Sequence, residues 1–333
     1  MKALVTGGSG FIGSRLISFL AEKGVSVRVL LRKSSKIDHL SGVSLERVYG
    51  DLGDEKSLRE AVAGVDVIFH LAAVLAGNRS SDYFTANSSG TVNIMKAVLS
   101  ANPSLRRFVF VSSLAAGGPS LSSRARSESD DDQPVSHYGK SKLAAEKAIE
   151  PFFSQVPVAI IRPPLVYGPR DRATLLLAKI AKGKFVPLVA ALNEERKKMH
   201  SLIHVDDLVE AMWLIGNAPE YKIKSGTRYY VSDAADLSYQ DLISGYGTAV
   251  GITPVFFHMP RFIIRIAAKI LTYFGMLTGK TFMLNDDKYS EITPDYWICS
   301  SVKISSELGY TPKVKFSHGV KETVEWYKKE GWL

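Results

Sequence analysis

Twelve residues near the start of the chain, Lys2-Ala3-Leu4-Val5-Thr6-Gly7-Gly8-Ser9-Gly10-Phe11-Ile12-Gly13, narrow the folds open to it more than any other stretch. Ala3, Leu4 and Val5 run without polar alternation, as a strand buried on both faces of a parallel sheet does. Three glycines follow at the spacing T-G-x-x-G-x-x-G, and a helical pattern runs from Phe11 to about Glu22. Strand, glycine turn and helix in that order suit a dinucleotide. Gly7 makes the tight turn, Gly10 lets the backbone approach a pyrophosphate, and Gly13 lets the helix pack on the strand. The N–H groups of Phe11, Ile12 and Gly13 would then face that pyrophosphate. A plain strand-to-helix turn can carry the same glycines, so the reading needs support from the rest of the chain.

The alternation downstream supplies it. Residues 25–31, 45–49, 66–73, 107–111 and 158–161 read as strands; 55–62 and 83–101 read as helices, the second stopped by Asn102-Pro103. This pattern predicts an α/β fold with a Rossmann-type, doubly wound parallel sheet. A chain of 333 residues is long for one core. The proline-rich run 162–169 marks the exit from a cofactor-binding domain of residues 1–165, with about 201–235, into a smaller C-terminal α/β substrate lobe of about 166–200 and 236–333. Asp206 or Asp207 is expected to cap a helix ending near Gly216; 228–231 reads as a strand, and 239–250 and 318–329 as helices. The polar, serine-rich run 117–134 is expected to be a mobile loop and a candidate substrate lid.

Lys and Arg exceed Asp and Glu to give a formal charge of +9, but they are scattered rather than gathered in a tail. Scatter argues for anionic small ligands and against nucleic acid. Cys299 is the single cysteine, which excludes an intrachain disulfide and a Cys-based metal cluster, leaves no metal site expected, and fits a reducing, cytoplasmic setting. With a strand beginning almost at Met1 and no apolar run long enough to span a bilayer, neither a signal peptide nor a membrane span is expected. The second strand closes on Arg32-Lys33-Ser34-Ser35, the position that reads the adenosine ribose. An acid there would bind the 2′-hydroxyl of NAD, whereas Arg32 suits the 2′-phosphate of NADP. NAD is the alternative, and a solvated basic loop the bland one. Small residues at Ala72 and Ala73 would let a cofactor lie against the end of the fourth strand, where His70 is read as a packing or hydrogen-bonding residue.

The fifth strand delivers Ser112 and Ser113 to the sheet's C-terminal rim, and Tyr138 and Lys142 stand four apart on one face of a helix. A tyrosine has an unperturbed pKa of about 10, and bringing it near 7 takes roughly 4 kcal/mol of preferential stabilisation of the phenolate. An ammonium one turn away supplies part of that, and an oxidised nicotinamide ring can add to it. Ser113 would donate to the same substrate oxygen where charge develops. The three roles are carbonyl polariser for Ser113, proton donor for Tyr138, and pKa-lowering, ribose-binding cation for Lys142. A lone Tyr-x-x-x-Lys pair is usually a helix surface; its order after the glycine turn and the strand-end serine favours chemistry.

Together, Thr6 to Gly13, Asp51-Leu52, His70 to Ala73, Ser112-Ser113, Tyr138 with Lys142, Arg162-Pro163 through Pro169, and His204 to Asp207 run nearly the whole length of the chain. In these motifs the chain resembles the extended short-chain dehydrogenases/reductases of the NAD-dependent epimerase/dehydratase family. The resemblance implies Asp51 and Leu52 at the adenine and Ala72 on the nicotinamide side. It also implies Leu71, Ala73, Ser112, Pro163 and Val166 along the cofactor, Asn87 supporting the site from its helix, and a homodimer built from helices 83–101 and 138–150. Family dehydratases carry an Asp-Glu pair after the catalytic hydroxyl residue; here Leu114-Ala115 follow Ser113. Nucleotide-sugar enzymes tend to carry Asn where this chain has Leu165 and Arg where it has His200. The segment 162–169 is instead similar to dihydroflavonol reductases and 3β-hydroxysteroid dehydrogenases. The resemblance implies an NADP-dependent oxidoreductase interconverting a carbonyl and an alcohol on an apolar or amphipathic small molecule. A nucleotide-sugar epimerase is the first alternative and a non-catalytic NADP sensor the second.

Residues 260–280 form a dense apolar helix pattern whose Arg261, Arg265 and Lys269 recur every four residues as one basic stripe. The bland expectation puts its apolar face in the lobe core and the stripe in water. The sharper one has the apolar face bordering the substrate pocket or resting on an anionic membrane surface.

Overall fold

Seven strands, all paired in parallel, form the main sheet: β1 (Lys2–Thr6), β2 (Ser26–Leu31), β3 (Leu45–Tyr49), β4 (Val67–His70), β5 (Arg107–Val111), β6 (Val158–Arg162) and β11 (Thr227–Tyr230). In this computed structural model, which describes residues 1–73, 84–190, 198–278, 282 and 284–333, they lie in the order β3-β2-β1-β4-β5-β6-β11. The fold is therefore the Rossmann-type doubly wound α/β sheet. Ala3 and Val5 enter the core on one face and Leu4 the core on the other, which is why β1 shows no polar alternation. Helices α1 (Phe11–Glu22) and α7 (Val205–Asn217) cover the first face with Leu16, Ile17, Leu208 and Met212. Helices α2 (Glu55–Val62), α3 (Gly90–Ala101) and α5 (His137–Ile149) cover the second with Leu58, Ile94, Val98 and Ile149. Strand order reverses between β1 and β4, opening a crevice at their C-terminal ends. One turn of helix, α4 (Leu114–Gly117), leads away from the end of β5.

Short pieces continue the chain. β7 (Leu165–Tyr167) pairs with β10 (Leu202–His204), and β9 (Met199–His200) lies between β12 (Leu237–Ser238) and β14 (Tyr296–Trp297). β8 (Phe185–Ala190) runs parallel to β13 (Val255–Pro260). Helices α6 (Leu175–Lys182), α8 (Tyr239–Val250) and α12 (Phe316–Lys329) enclose a third core around Tyr167, Tyr246, Val324 and Tyr327. The remaining α-helices among the described residues are α9 (Arg261–Thr278), α10 (Asp286–Ile292) and α11 (Val302–Leu308).

Four expectations are corrected. The helix of residues 83–101 is not uniform. Tyr83 lies outside the described residues, and a π-helical stretch, Thr85–Ser89, precedes α3. Neither Asp206 nor Asp207 caps α7. His204 does, its Nδ1 accepting the Asp206 N–H at 3.3 Å. Asp207 instead accepts from the Lys313 and Val314 N–H groups at 2.9 and 3.0 Å, and Asp206 takes Arg15 Nε at 2.5 Å. The 117–134 loop is pinned, because Arg126, Glu128 and Asp132 within it have partners. Arg126 is buried and donates to the Pro119 and Asp131 carbonyls, Glu128 accepts the Tyr230 N–H at 2.8 Å, and Asp132 holds Arg162. Finally, α9 does not bury its apolar face: Pro260 closes β13, Lys280 lies outside the described residues, and only Ile264, Ala268 and Gly275 of the helix are buried.

Candidate active site

A cleft of about 810 Å³ occupies the crevice at the strand ends. Every residue the sequence singled out for cofactor or chemistry lines it except Asn87. Gly7 stands at φ 72°, and a Cβ there would meet Ala72 N at 2.8 Å, so the turn is locked against the end of β4. At Gly13 a Cβ would collide with Gly7 O; this glycine packs helix on turn rather than helix on strand. Gly10 differs, because a Cβ there would meet only Gly7 O at 3.3 Å. Its bare side is left to the cleft. Helix α1 begins beside it with no side-chain cap and no acid in its first turn, so its first N–H groups are placed for an anion. This cradle fits the pyrophosphate of a dinucleotide.

His70 is fully buried at the end of β4 and joins the turn to the helix opposite. Thr91 Oγ1 donates to the Asn87 carbonyl at 2.6 Å, so it accepts from His70 Nε2 at 3.1 Å. That puts the proton on Nε2, and Thr6 Oγ1 donates to Nδ1 at 2.7 Å while accepting the Ala72 N–H at 3.2 Å. Burial, with Lys142 adding, pulls the His70 pKa down to about 3. A neutral imidazole with both nitrogens engaged holds the cleft floor, as the packing reading expected. Asn87 stands back from the cleft and donates Nδ2 to Ser141 Oγ at 3.0 Å, one residue from Lys142.

Helix α5 carries Tyr138 and Lys142. Ser136 caps it by accepting the Gly139 N–H at 3.0 Å. Tyr138 is partly exposed, whereas Lys142 is buried, donates Nζ to the Val111 carbonyl at 2.6 Å and lies 4.5 Å from the centre of the Phe110 ring. Burial lowers the Lys142 pKa to about 8, with Glu146 opposing the shift. Ser113 caps α4, its Oγ accepting the Ala115 N–H at 3.1 Å, which uses a lone pair and leaves the hydroxyl proton to donate elsewhere. Ser112 lines the cleft too, but its hydroxyl is turned away, donating to Glu146 Oε1 at 2.5 Å.

Sequence reasoning did not reach the network behind Ser112. Arg162, 2% exposed, gives Nε and Nη2 to Glu146 at 2.9 and 2.6 Å, a fork to Asp132 at 2.6 and 3.0 Å, and Nη1 to Tyr230 OH at 3.0 Å. Glu146 also takes Arg228 Nε at 3.0 Å. The network ties the end of β6, the serine-rich loop and β11 to the helix that carries Tyr138. Its one legible signal was Glu146, four residues after Lys142 on α5. At the Asp51-Leu52 end of the cleft, Gly90 and Asn93 were missed as well: Asn93 Nδ2 donates to the Leu52 carbonyl at 2.9 Å, and a Cβ at Gly90 would meet Leu52 Cδ1 at 2.8 Å. Arg32, exposed, and Ser35 line the same end, with the Arg32 N–H on Ser35 Oγ at 3.1 Å.

A doubly wound sheet with a glycine cradle at its switch point and a Ser, Tyr and Lys at one cleft belongs to the class of dinucleotide-dependent oxidoreductases. The chain is a member of the NAD dependent epimerase/dehydratase family, whose model matches residues 3–231, and it is an NAD(P)-dependent enzyme of short-chain dehydrogenase/reductase type. Among curated relatives, a ceramide reductase of Caulobacter vibrioides is 28% identical over 331 residues, covering 99% of this chain and 95% of that one. An N-acetyl-alpha-D-glucosaminyl-diphospho-ditrans,octacis-undecaprenol 4-epimerase of Escherichia coli O157:H7 is 26% identical over 338 residues, covering 98% and 95%. The solved structure of UDP-glucuronic acid 4-epimerase from Bacillus cereus, in complex with UDP-glucuronic acid and NAD, shares the fold at a TM-score of 0.77 and 22% identity, covering 99% and 100%.

Proposed function

We propose that this enzyme is an NADP-dependent reductase or dehydrogenase interconverting a carbonyl and an alcohol on an apolar or amphipathic substrate. The observation that carries the reading is convergence: Ser113, Tyr138 and Lys142 line the same cleft as the glycine cradle and Arg32. Gly7, Gly10 and Gly13, with the first N–H groups of α1, would hold the pyrophosphate, and Arg32 with Ser35 the 2′-phosphate. Asp51 and Leu52 would lie along the adenine, and Leu71, Ala72, Ala73, Pro163 and Val166 along the rest of the cofactor. A nicotinamide dinucleotide supplies or takes up hydride when bound. Ser113 holds the substrate oxygen with its free hydroxyl proton, Tyr138 gives that oxygen a proton, and the Lys142 charge makes the phenol acidic enough to do so. Residues 1–165 with 201–235 serve as the cofactor domain, the remainder as the substrate lobe, and the homodimer is part of the same reading.

Two features favour an apolar substrate over a nucleotide sugar. Leu165 packs against the lobe core, and burial with nearby Lys198 lowers the His200 pKa to about 4, so its ring is neutral at pH 7. Neither offers charge to a diphosphate. The ceramide reductase supports a lipid-like carbonyl substrate. The undecaprenol-linked epimerase supports the second reading, an epimerase, and an epimerase retains NAD where a reductase exchanges NADPH. Steady-state kinetics with NADPH and NADH test the choice. NADPH is expected to be preferred, and Arg32→Ala to lose that preference by about tenfold or more. Equal use of the two cofactors, or an unchanged preference in Arg32→Ala, refutes the NADP assignment.

A further inference from the structure

Helix α9 turns its most apolar face outward. At about 100° per residue, its buried residues Ile264, Ala268 and Gly275 fall on one narrow seam. Phe262, Ile266, Ile270, Tyr273 and Leu277 cluster on the opposite side, each 55–67% exposed. Such a contiguous exposed apolar face on a folded protein marks an interaction surface. Beside it, the β8 and β13 pair exposes Phe185 and Phe257.

Charge selects the occupant. Residues 172–193 and 242–285, which include α6, β8, β13 and α9, contain no Asp or Glu. The basic residues in them include the exposed Lys179, Lys182 and Lys184 before β8, and the exposed Arg265 and Lys269 on the flank of the apolar face. A second copy docked face to face would bring like charges together. An anionic lipid surface meets both features, taking the apolar side chains into the acyl boundary and the cations among the headgroups. No helix among the described residues is long and apolar enough to cross a membrane, so the contact lies in the interface plane.

The same helix is mechanically close to the chemistry. The Asp286 N–H at the start of α10 donates to Thr272 Oγ1 of α9 at 2.8 Å, and the His137 N–H donates to Asp287 Oδ1 at 2.5 Å. His137 is the first residue of α5 and precedes Tyr138. A platform on α9 is therefore joined through α10 to the mouth of the cleft.

We propose that α9 is an interfacial docking helix for anionic membranes, seating the enzyme so that its cleft takes a carbonyl substrate carried in the bilayer. The docking stands on the surface alone; the delivery of a substrate rests on the function proposed above. The test is flotation of the full chain with phosphatidylglycerol-containing vesicles and with pure phosphatidylcholine vesicles, at low and high salt. Flotation with the anionic vesicles alone is expected, weakened by salt, and reduced more than tenfold both in Ile266→Glu/Ile270→Glu and in Arg265→Glu/Lys269→Glu. Titration with NADPH and far-ultraviolet circular dichroism should be unchanged in both variants, which separates loss of docking from loss of fold or cofactor site. No flotation of the wild type, equal flotation with neutral vesicles, or equal flotation of both variants overturns the proposal. So does a wild-type dimer that Ile266→Glu/Ile270→Glu converts to a monomer without any vesicle binding.

Discussion

At the scale of residues, the proposed chemistry turns on Lys142. Its ammonium is buried one helical turn from Tyr138, which strengthens its field at the phenol and weakens its own hold on a proton. Because burial brings its pKa to about 8, the charge is present at pH 7 and disappears as pH rises through about 8. On the proposed function, carbonyl reduction is therefore expected to fall on an alkaline limb beginning near pH 8, as Lys142 loses its charge. His70 and His200, with pKa values lowered to about 3 and about 4, stay neutral and add no limb between pH 5 and 7. A rate profile flat to pH 10 would contradict this. Linkage gives a second sign: between about 8 and 10.5 the unfolded chain holds the Lys142 proton and the folded one does not, so this group's contribution to stability improves as pH rises. Tyr138→Phe should reduce turnover by about 10²-fold or more while leaving NADPH affinity near normal. Lys142→Ala should weaken both. Near-normal turnover in Tyr138→Phe would show that another group gives the proton.

At the scale of elements, the glycine turn offers a paired test. Ala can be accommodated at Gly10, where φ is −79° and the nearest atom to a Cβ is 3.3 Å away. Gly10→Ala is expected to change stability by less than about 1 kcal/mol yet to weaken cofactor binding, since the new methyl group enters the cradle. Gly13→Ala forces a Cβ onto a backbone oxygen and is expected to lower stability by about 1–3 kcal/mol. Thermal melts and NADPH titration of the two variants decide it; unchanged cofactor affinity in Gly10→Ala would refute the cradle. The main sheet and its helices were legible in sequence because β1, β2, β4, β5 and β6 are buried on both faces and helices such as α1 and α2 have one apolar stripe. Helix α1 begins and ends where its periodicity placed it. Legibility failed where tertiary partners overrode local pattern. Arg162, Glu146 and Asp132 look like surface charges in sequence and form a buried network. The apolar stripe of α9 looks like a core face and points outward. Periodicity reports that a helix has two faces, not what covers each.

For the whole molecule, the seven-stranded sheet and its switch point gather the cleft-lining residues at one end of the strands. That is why a residue list drawn from motifs far apart in sequence collapses into one cleft. The rest of the chain was less legible: β7 has three residues and β9 two, and the pairings of β7, β8, β9 and β13 join segments up to about a hundred residues apart. No local pattern encodes such pairings. Composition is unevenly laid out as well, with the acid-free stretches gathered at α6, β8, β13 and α9 inside a chain of net charge +9. On the proposed function, the cleft reduces a carbonyl on an apolar substrate with exchangeable NADPH. The measurement is the loss of NADPH absorbance on adding ketones of increasing chain length to purified enzyme, beside UDP-sugars as competitors for the same site. NADPH oxidation should grow with chain length and fall by about 10²-fold or more in Tyr138→Phe. Tightly retained NAD, no net NADPH oxidation with any ketone and interconversion of a UDP-sugar would contradict it.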